Sequence, residues 1–370
     1  MTARLYLQPI GFASGPQAEE GGAIRLAGSM TYASRFALSV RDNGQVTHRR
    51  VFAVAEAASA LAEPGGDLAA QAERQWANLQ RVHAPLQLGS RTVRLDQPQV
   101  MGVLNVTPDS FSDGGKFLER PEDGRDHAAA MLEKGAAIID IGGESTRPGG
   151  AATWEGDEIE RVIPAVEYCA AMGAAISVDT RRAGVLDAAL AKGAHMANDV
   201  SALRYDPRSL ELVANAGCPV VLMHAPGSGD DLHEGSGNYS DVVTDVFDML
   251  AAQRARAIEG GVAEDRIVLD PGIGFGKSLA DNLALINALP LFHALGSPLV
   301  LGVSRKRMIG ALSHEEPAHE RLGGSIALAI KGMDAGVHLL RVHDVAATVQ
   351  ARNVWRGLRD AALTDFSQLP

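Results

Sequence analysis

A (β/α)8 barrel is the fold class this sequence predicts, and three observations predict it. From Val100 to residue 358, eight apolar strand-like runs alternate with eight alanine-rich amphipathic segments. Each run stops at a polar or glycine-rich segment, the way barrels present their loops. No dinucleotide fingerprint of an open doubly wound sheet accompanies the runs, and no internal self-similarity marks a solenoid.

The elements follow in order. Residues 1–83 form a small N-terminal α/β extension. Leu5–Ile10 and Phe36–Val40 read as short strands, while Ala53–Leu61 and Asp67–Val82 read as helices. Pro64-Gly65-Gly66 separates the two helices. No chemical constellation occurs in this stretch, so it is expected to be a packing unit. Leu86–Leu95 alternates around Gly89-Ser90 and reads as a β-hairpin. With no helix after it, the hairpin is expected to plug one barrel end. The barrel is assigned to 84–362 and a tail to 363–370. Its strand runs are Val100–Leu104, Ala136–Ile141, Ala175–Val178, Ala194–Ala197, Pro219–Met223, Ile267–Leu269, Pro298–Val303 and His338–Val342. Helices are expected near 122–134, 155–172, 182–192, 207–216, 240–260, 279–288, 319–335 and 345–358.

Composition excludes several classes of function. The net charge of −11 over 370 residues disfavours a nucleic-acid backbone as partner. Two cysteines, Cys169 and Cys218, make neither a disulfide framework nor a cysteine-based zinc site. No run approaches membrane-spanning length and the first residues lack a signal-peptide core, so a cytoplasmic protein is expected.

Function is expected where the strand ends converge. The first end, within Gln99–Gly115, delivers Asn105 into a loop holding Thr107, Pro108, Asp109, Ser110, Phe111, Ser112 and two glycines. The others read Gly142-Gly-Glu-Ser-Thr-Arg-Pro148, Asp179-Thr180, Asn198-Asp199, Met223-His224, Asp270–Lys277, Ser304-Arg-Lys306 and Arg341-Val-His-Asp344. A single polar strand end is often only an N-cap, and Thr180, Ser304 and Asp344 fit that role. Eight in succession, mixing amides, acids and bases, exceed what capping needs. Asp270–Ser278 is not a Walker loop, because Pro271 stands where the pattern needs glycine. Its glycines suit close approach to a flat ligand, with Phe275 as a stacking wall. Ser304–Arg307, Arg147 and Arg341 form a cationic set suited to an anion. Asp179 and Asp270 suit either acid–base work or acceptance of ligand N–H groups. His343, two residues past Arg341 on the same side of an extended segment, suits anion binding better than metal ligation.

The motifs Met101–Gly115, Asp140–Gly149, Ser177–Thr180, Asn198–Val200, Asp270–Lys277, Ser304–Lys306 and Arg341–Val345 together resemble dihydropteroate synthase, in order and over about residues 85 to 360. The resemblance implies a pterin-binding barrel that condenses 6-hydroxymethyl-7,8-dihydropterin pyrophosphate with p-aminobenzoate in folate biosynthesis. It also implies Mg²⁺, a homodimer and competition by sulfonamides. Residue by residue, it implies that Asp179, Asn198, Asp270 and Lys306 bind the pterin ring, walled by Val200, Met223, Gly274 and Phe275. Asn105 would contact Mg²⁺, and Thr146, Arg341 and His343 would join it around the pyrophosphate. The aminobenzoate pocket would take Phe111, Ser112, Thr146, Arg147, Pro148, Phe275, Ser304 and Lys306. Asp179, Lys306, Arg147 and Asn105 would carry the chemistry, and the loop beyond Asn105 would act as a lid. Arg307 departs from the small serine frequent there in the family. Two other readings share the barrel: a pterin-binding methyltransferase domain, which should lack the Ser-Thr-Arg-Pro and Ser-Arg-Lys segments, and a non-catalytic paralogue, which should have lost Asn105, Arg147, Lys306 or His343.

Overall fold

The computed structural model describes residues 3–13, 21–107, 121–145 and 153–361. The N-terminal lobe is a four-stranded antiparallel sheet made of β1 (Arg4–Ala13), β2 (Ile24–Arg25), β3 (Tyr32–Asp42) and β4 (Gln45–Ala53). Helices α1 (Ala57–Ala62) and α2 (Gly66–Leu79) follow. Two short strands were expected here, and the structure adds β2 and β4. The signal for β4 is Asn43-Gly44: both residues take positive φ, 49° and 79°, in a tight β3–β4 turn. Phe36, Phe52 and Trp76 pack together under the sheet, with Phe36 edge-on to Trp76 at 4.9 Å between ring centroids.

The hairpin pairs β5 (Leu86–Leu88) with β6 (Arg91–Val93). Eight parallel strands follow: β7 (Gln99–Asn105), β8 (Ile138–Gly142), β9 (Ile176–Asp179), β10 (Met196–Asp199), β11 (Val220–Met223), β12 (Ile267–Asp270), β13 (Val300–Gly302) and β14 (Leu339–Val342). β14 pairs with β7, and a parallel bridge from Leu269 to Leu299 closes the ring between β12 and β13. The barrel and its plug are as the periodicity predicts.

Period-2 alternation explains what fills the barrel. Its lowest layer is apolar: Met101, Ile138, Ala175, Met196, Val221, Val268, Val300 and Leu339 pack against Leu86, Leu88, Val93 and Leu95 of the hairpin. Two residues further along each strand stand Val103, Asp140, Ser177, Asn198, Met223, Asp270, Gly302 and Arg341. This second layer is therefore largely polar. A packed barrel would fill it with branched aliphatics; here it is the floor of a site.

Candidate active site

Arg341 organises the floor. Its Nε donates to Asp140 Oδ2 and its Nη2 to Asp179 Oδ2, both at 2.6 Å. Asp140, wholly buried, accepts on the same oxygen from Asn198 Nδ2 at 3.1 Å. That bond fixes the Asn198 amide and leaves its carbonyl oxygen for a ligand donor. Asp140 was not among the expected site residues. The signal that finds it is its position, two residues past Ile138 of the apolar layer.

Burial pushes the Asp179 carboxyl up to about 7, with Arg341 opposing and Asp140 reinforcing the shift. Burial also raises Asp270, while the N–H of Gly272, donating to Asp270 Oδ1 at 2.7 Å, pulls the other way. Lys306, its Nζ 4.5 Å from the centroid of the Phe275 ring, is lowered to about 8 by burial, against the attraction of Asp270. Its stem runs past Gly274 (φ +86°), where a Cβ would lie 3.2 Å from Lys306 Cδ. A bare backbone there leaves room for the lysine beside the ring.

The walls are apolar. Val200 and Met223 pack with Ala225 and Leu232, and Phe275 lies against them. Ala225 and Leu232 belong to the long loop after β11, where sequence periodicity carries no information. His233 stacks on Phe275 (centroids 5.8 Å apart, planes 12° apart), and its Nδ1 accepts from the N–H of Gly276 at 3.0 Å.

Asn105 stands level with Gly142 across β7–β8, and Gly142 with Asp179 across β8–β9. Asn105 and Asp179 flank Gly142 closely: a Cβ there would make ordinary contacts of 3.5 Å with Asn105 Oδ1 and with Asp179 Cβ. On the far side Ser304 Oγ bonds the N–H of His343 at 3.2 Å and its Nδ1 at 3.1 Å. Burial, then Arg341, lowers His343 to about 3, so the ring is neutral at pH 7.

Other cations have structural duties. Arg305 grips Asp344, its Nε 3.0 Å from Oδ2 and its Nη2 2.6 Å from Oδ1. Lys277 turns inward, donating to Gly272 O at 2.8 Å, Phe275 O at 2.9 Å and His224 Nδ1 at 2.9 Å. It brackets the Asp270–Lys277 loop from inside, which agrees with rejecting a phosphate loop. Arg307 opens a short helix, Arg307–Ala311, and is exposed. Phe111, Ser112, Thr146, Arg147 and Pro148, and the expected lid, lie outside the described residues.

The chain also resembles known proteins. A family model described as pterin binding enzyme matches residues 101–343. The dihydropteroate synthase of Escherichia coli K12 is 46% identical over 261 residues, which cover 70% of this chain and 91% of that protein. The Xanthomonas albilineans dihydropteroate synthase with 4-aminobenzoic acid superposes with a TM-score of 0.70 at 45% identity, over 75% of this chain and 99% of that one. The Yersinia pestis dihydropteroate synthase in a sulfonamide drug complex gives 0.71 at 42% identity, over 75% and 99%.

Proposed function

The chain belongs to the pterin-binding enzyme family as a dihydropteroate synthase, and we propose that the strand-end cluster is where it condenses 6-hydroxymethyl-7,8-dihydropterin pyrophosphate with p-aminobenzoate, giving 7,8-dihydropteroate and pyrophosphate. One observation carries the placement: Asp179, Asn198, Asp270 and Lys306 surround one polar floor, walled by Val200, Met223 and Phe275. Three acceptors and one cation on a flat-walled pocket suit the donor-rich edge and carbonyl of a pterin.

In this reading the ring lies against Met223 and Phe275. Its N–H groups donate to Asp179, Asp270 and the Asn198 carbonyl, and Lys306 donates to a ring acceptor. The ionised Asp179 favours the positive charge that spreads onto the pterin methylene as the C–O bond to pyrophosphate breaks. The neutral arylamine of p-aminobenzoate then attacks that carbon and loses a proton, so no covalent enzyme intermediate is needed. His343, held by Ser304, and the remaining Arg341 nitrogen face the departing phosphates. Phe111, Ser112, Thr146, Arg147 and Pro148 keep the roles that the resemblance implies. Sulfonamides compete with p-aminobenzoate at this site.

Asn105 fits Mg²⁺ by the chemistry of its donor, a single hard amide oxygen at a strand end. Among the described residues no group of three or more acids, histidines or cysteines could cage a metal. Asn105 would hold the ion, and Mg²⁺ would supply charge neutralisation for the leaving group. The enzyme is also read as a cytoplasmic homodimer. Val354 and Leu358, exposed one turn apart on the last helix (Val345–Ala361), offer apolar surface to a second copy. Among the described residues no helix is long and apolar enough to cross a membrane, and both cysteines are free and buried.

The test is dihydropteroate formation from the two substrates with Mg²⁺, and absence of turnover by folded protein would overturn the reading. Asp179→Asn should lower turnover more than pterin binding; equal losses would argue against stabilisation of a cation.

A further inference from the structure

The N-terminal lobe packs on the barrel at several places, and one of them is a helix that leads to the site. β1 and β3 contact the helix Val242–Glu259, which begins where the loop after β11 ends. Tyr6 Oη donates to Asp248 Oδ2 at 2.9 Å, and Arg4 pairs with the same carboxylate at 2.6 Å. The Tyr6 ring meets Phe247 edge-on at 5.5 Å. At the start of the same helix, Arg41 Nη2 donates to Asp241 Oδ2 at 2.6 Å and Nη1 to Thr244 Oγ1 at 3.3 Å.

Asp241 is the N-cap of this helix, its other oxygen accepting from the N–H of Thr244 at 3.0 Å. The N–H groups of Ser240 and Asp241 donate to Asp245 at 2.7 and 3.2 Å, tying the loop's last residues to the first helical turn. The loop's early part is held separately, by Arg204 on the carbonyls of Ala225 and Gly227 and by Arg181 on those of Gly229 and Asp230. Between these anchors the loop places Leu232, 3% exposed, in the pocket wall, and His233 on Phe275. The family match begins at residue 101, so it assigns nothing to the lobe.

We propose that the lobe is a positioning element of the site: Arg41, through Asp241, fixes the end of the loop after β11 and thereby seats Leu232 and His233 against the pterin pocket. The proposal rests on the pocket assignment above, so it is tested by a readout that does not depend on turnover as well as by kinetics. Arg41→Met keeps the stem and removes both bonds; Arg41→Lys retains a cation that reaches one carboxylate.

In the full chain, amide hydrogen exchange over residues 227–240 should quicken roughly fivefold in Arg41→Met while the barrel strands stay as protected as in the wild type. The pair is only partly exposed (side chains 23% and 31%), which sets that modest size. The KM for the pterin pyrophosphate should rise by a similar factor with kcat little changed, and Arg41→Lys should recover part of both effects. Asp241→Asn keeps the cap and removes the charge pair. Its effect on exchange should not add to that of Arg41→Met. Loop exchange and KM within twofold of wild type would overturn the proposal, as would full additivity of the two substitutions. If Arg41→Met unfolds, Asp241→Asn decides alone by the same measurements. A wild-type protein without turnover would refute the assigned reaction, while the exchange result would still decide the brace.

Discussion

Replacing Asp140 by asparagine tests the floor of the site most directly. The side chain is wholly buried and one of its oxygens takes two N–H donors, Arg341 Nε at 2.6 Å and Asn198 Nδ2 at 3.1 Å. Asparagine has the same shape, and its carbonyl can occupy that oxygen's place, so both bonds survive with a neutral acceptor. A bond with an ionised partner contributes about 1.5–3 kcal/mol and a neutral one about 0.5–1.5; the Asn198 bond becomes neutral, while the Arg341 bond stays charge-assisted but loses its ion pair, so the loss is roughly 1–3 kcal/mol. If Arg341 and Asn198 are held for catalysis, kcat/KM for the pterin pyrophosphate should fall about 10- to 100-fold. A second readout separates this from loosened packing. Asp140 is one of the charges that hold Asp179 up near 7, after burial. Removing it should move the Asp179 midpoint downward. The reaction is assigned to the ionised form, so the acid limb of the pH–rate profile should shift to lower pH. Initial rates of dihydropteroate formation from about pH 5 to 9, with thermal unfolding to establish the fold, measure both. A variant within twofold of wild type at every pH, with an unmoved midpoint, would refute the reasoning and leave Asp140 as a space-filling group.

Lys306→Met should lower kcat/KM at least about tenfold by deleting the cation beside Phe275 and Asp270, and Lys306→Arg should not restore it, because a planar fork does not fit the channel beside Gly274; steady-state kinetics of the pair decide. Gly272→Ala should unfold the β12 loop: at φ +68° its Cβ would lie 1.9 Å from the His224 carbonyl oxygen, so the melting temperature should drop by several degrees, and an unchanged value would show that the backbone yields. The cluster of half-buried His83 with buried His293 and His338 predicts acid lability. Burial lowers the three rings to about 2, 3 and 4, so the folded chain binds fewer protons than the unfolded one below about pH 6.5, and stability falls as pH drops from there, by up to about 1.4 kcal/mol per pH unit for each ring. Denaturant titrations at several pH values would show a shallower slope in His338→Gln, and an equal slope would discount the cluster. Chelation with EDTA should abolish turnover, leave the circular dichroism unchanged and be reversed by Mg²⁺; persistence of turnover would count against the metal.

Much of this was legible along the chain. Eight continuous apolar runs and eight intervening helices specify a barrel, because that pattern has few other ways to bury its strands on both faces. The strand-end residues Asn105, Asp179, Asn198, Asp270, Ser304, Lys306, Arg341 and His343 could be named for the same reason, since each strand delivers its last inward residue to one rim. Asp140 and β4 carry subtler signals in the chain, the step of two from Ile138 and the Asn43-Gly44 turn.

Which residues face inward, and at which end, thus follows from the order of residues alone. Which of them meet was decided by closure. The strands are staggered as the ring closes, so Arg341 lies level with Met101 on one neighbour and with Gly302 on the other, yet its guanidinium spans to Asp140 and Asp179. No spacing in the chain encodes that reach across 162 and 201 residues. The same holds for Arg305 turning to Asp344, Leu232 entering the wall from an aperiodic loop, and Arg41 pairing with Asp241, the N-cap of a helix 200 residues away. A charge read in sequence has no partner until the tertiary fold desolvates it beside one, and only there do its energy and its role take a value.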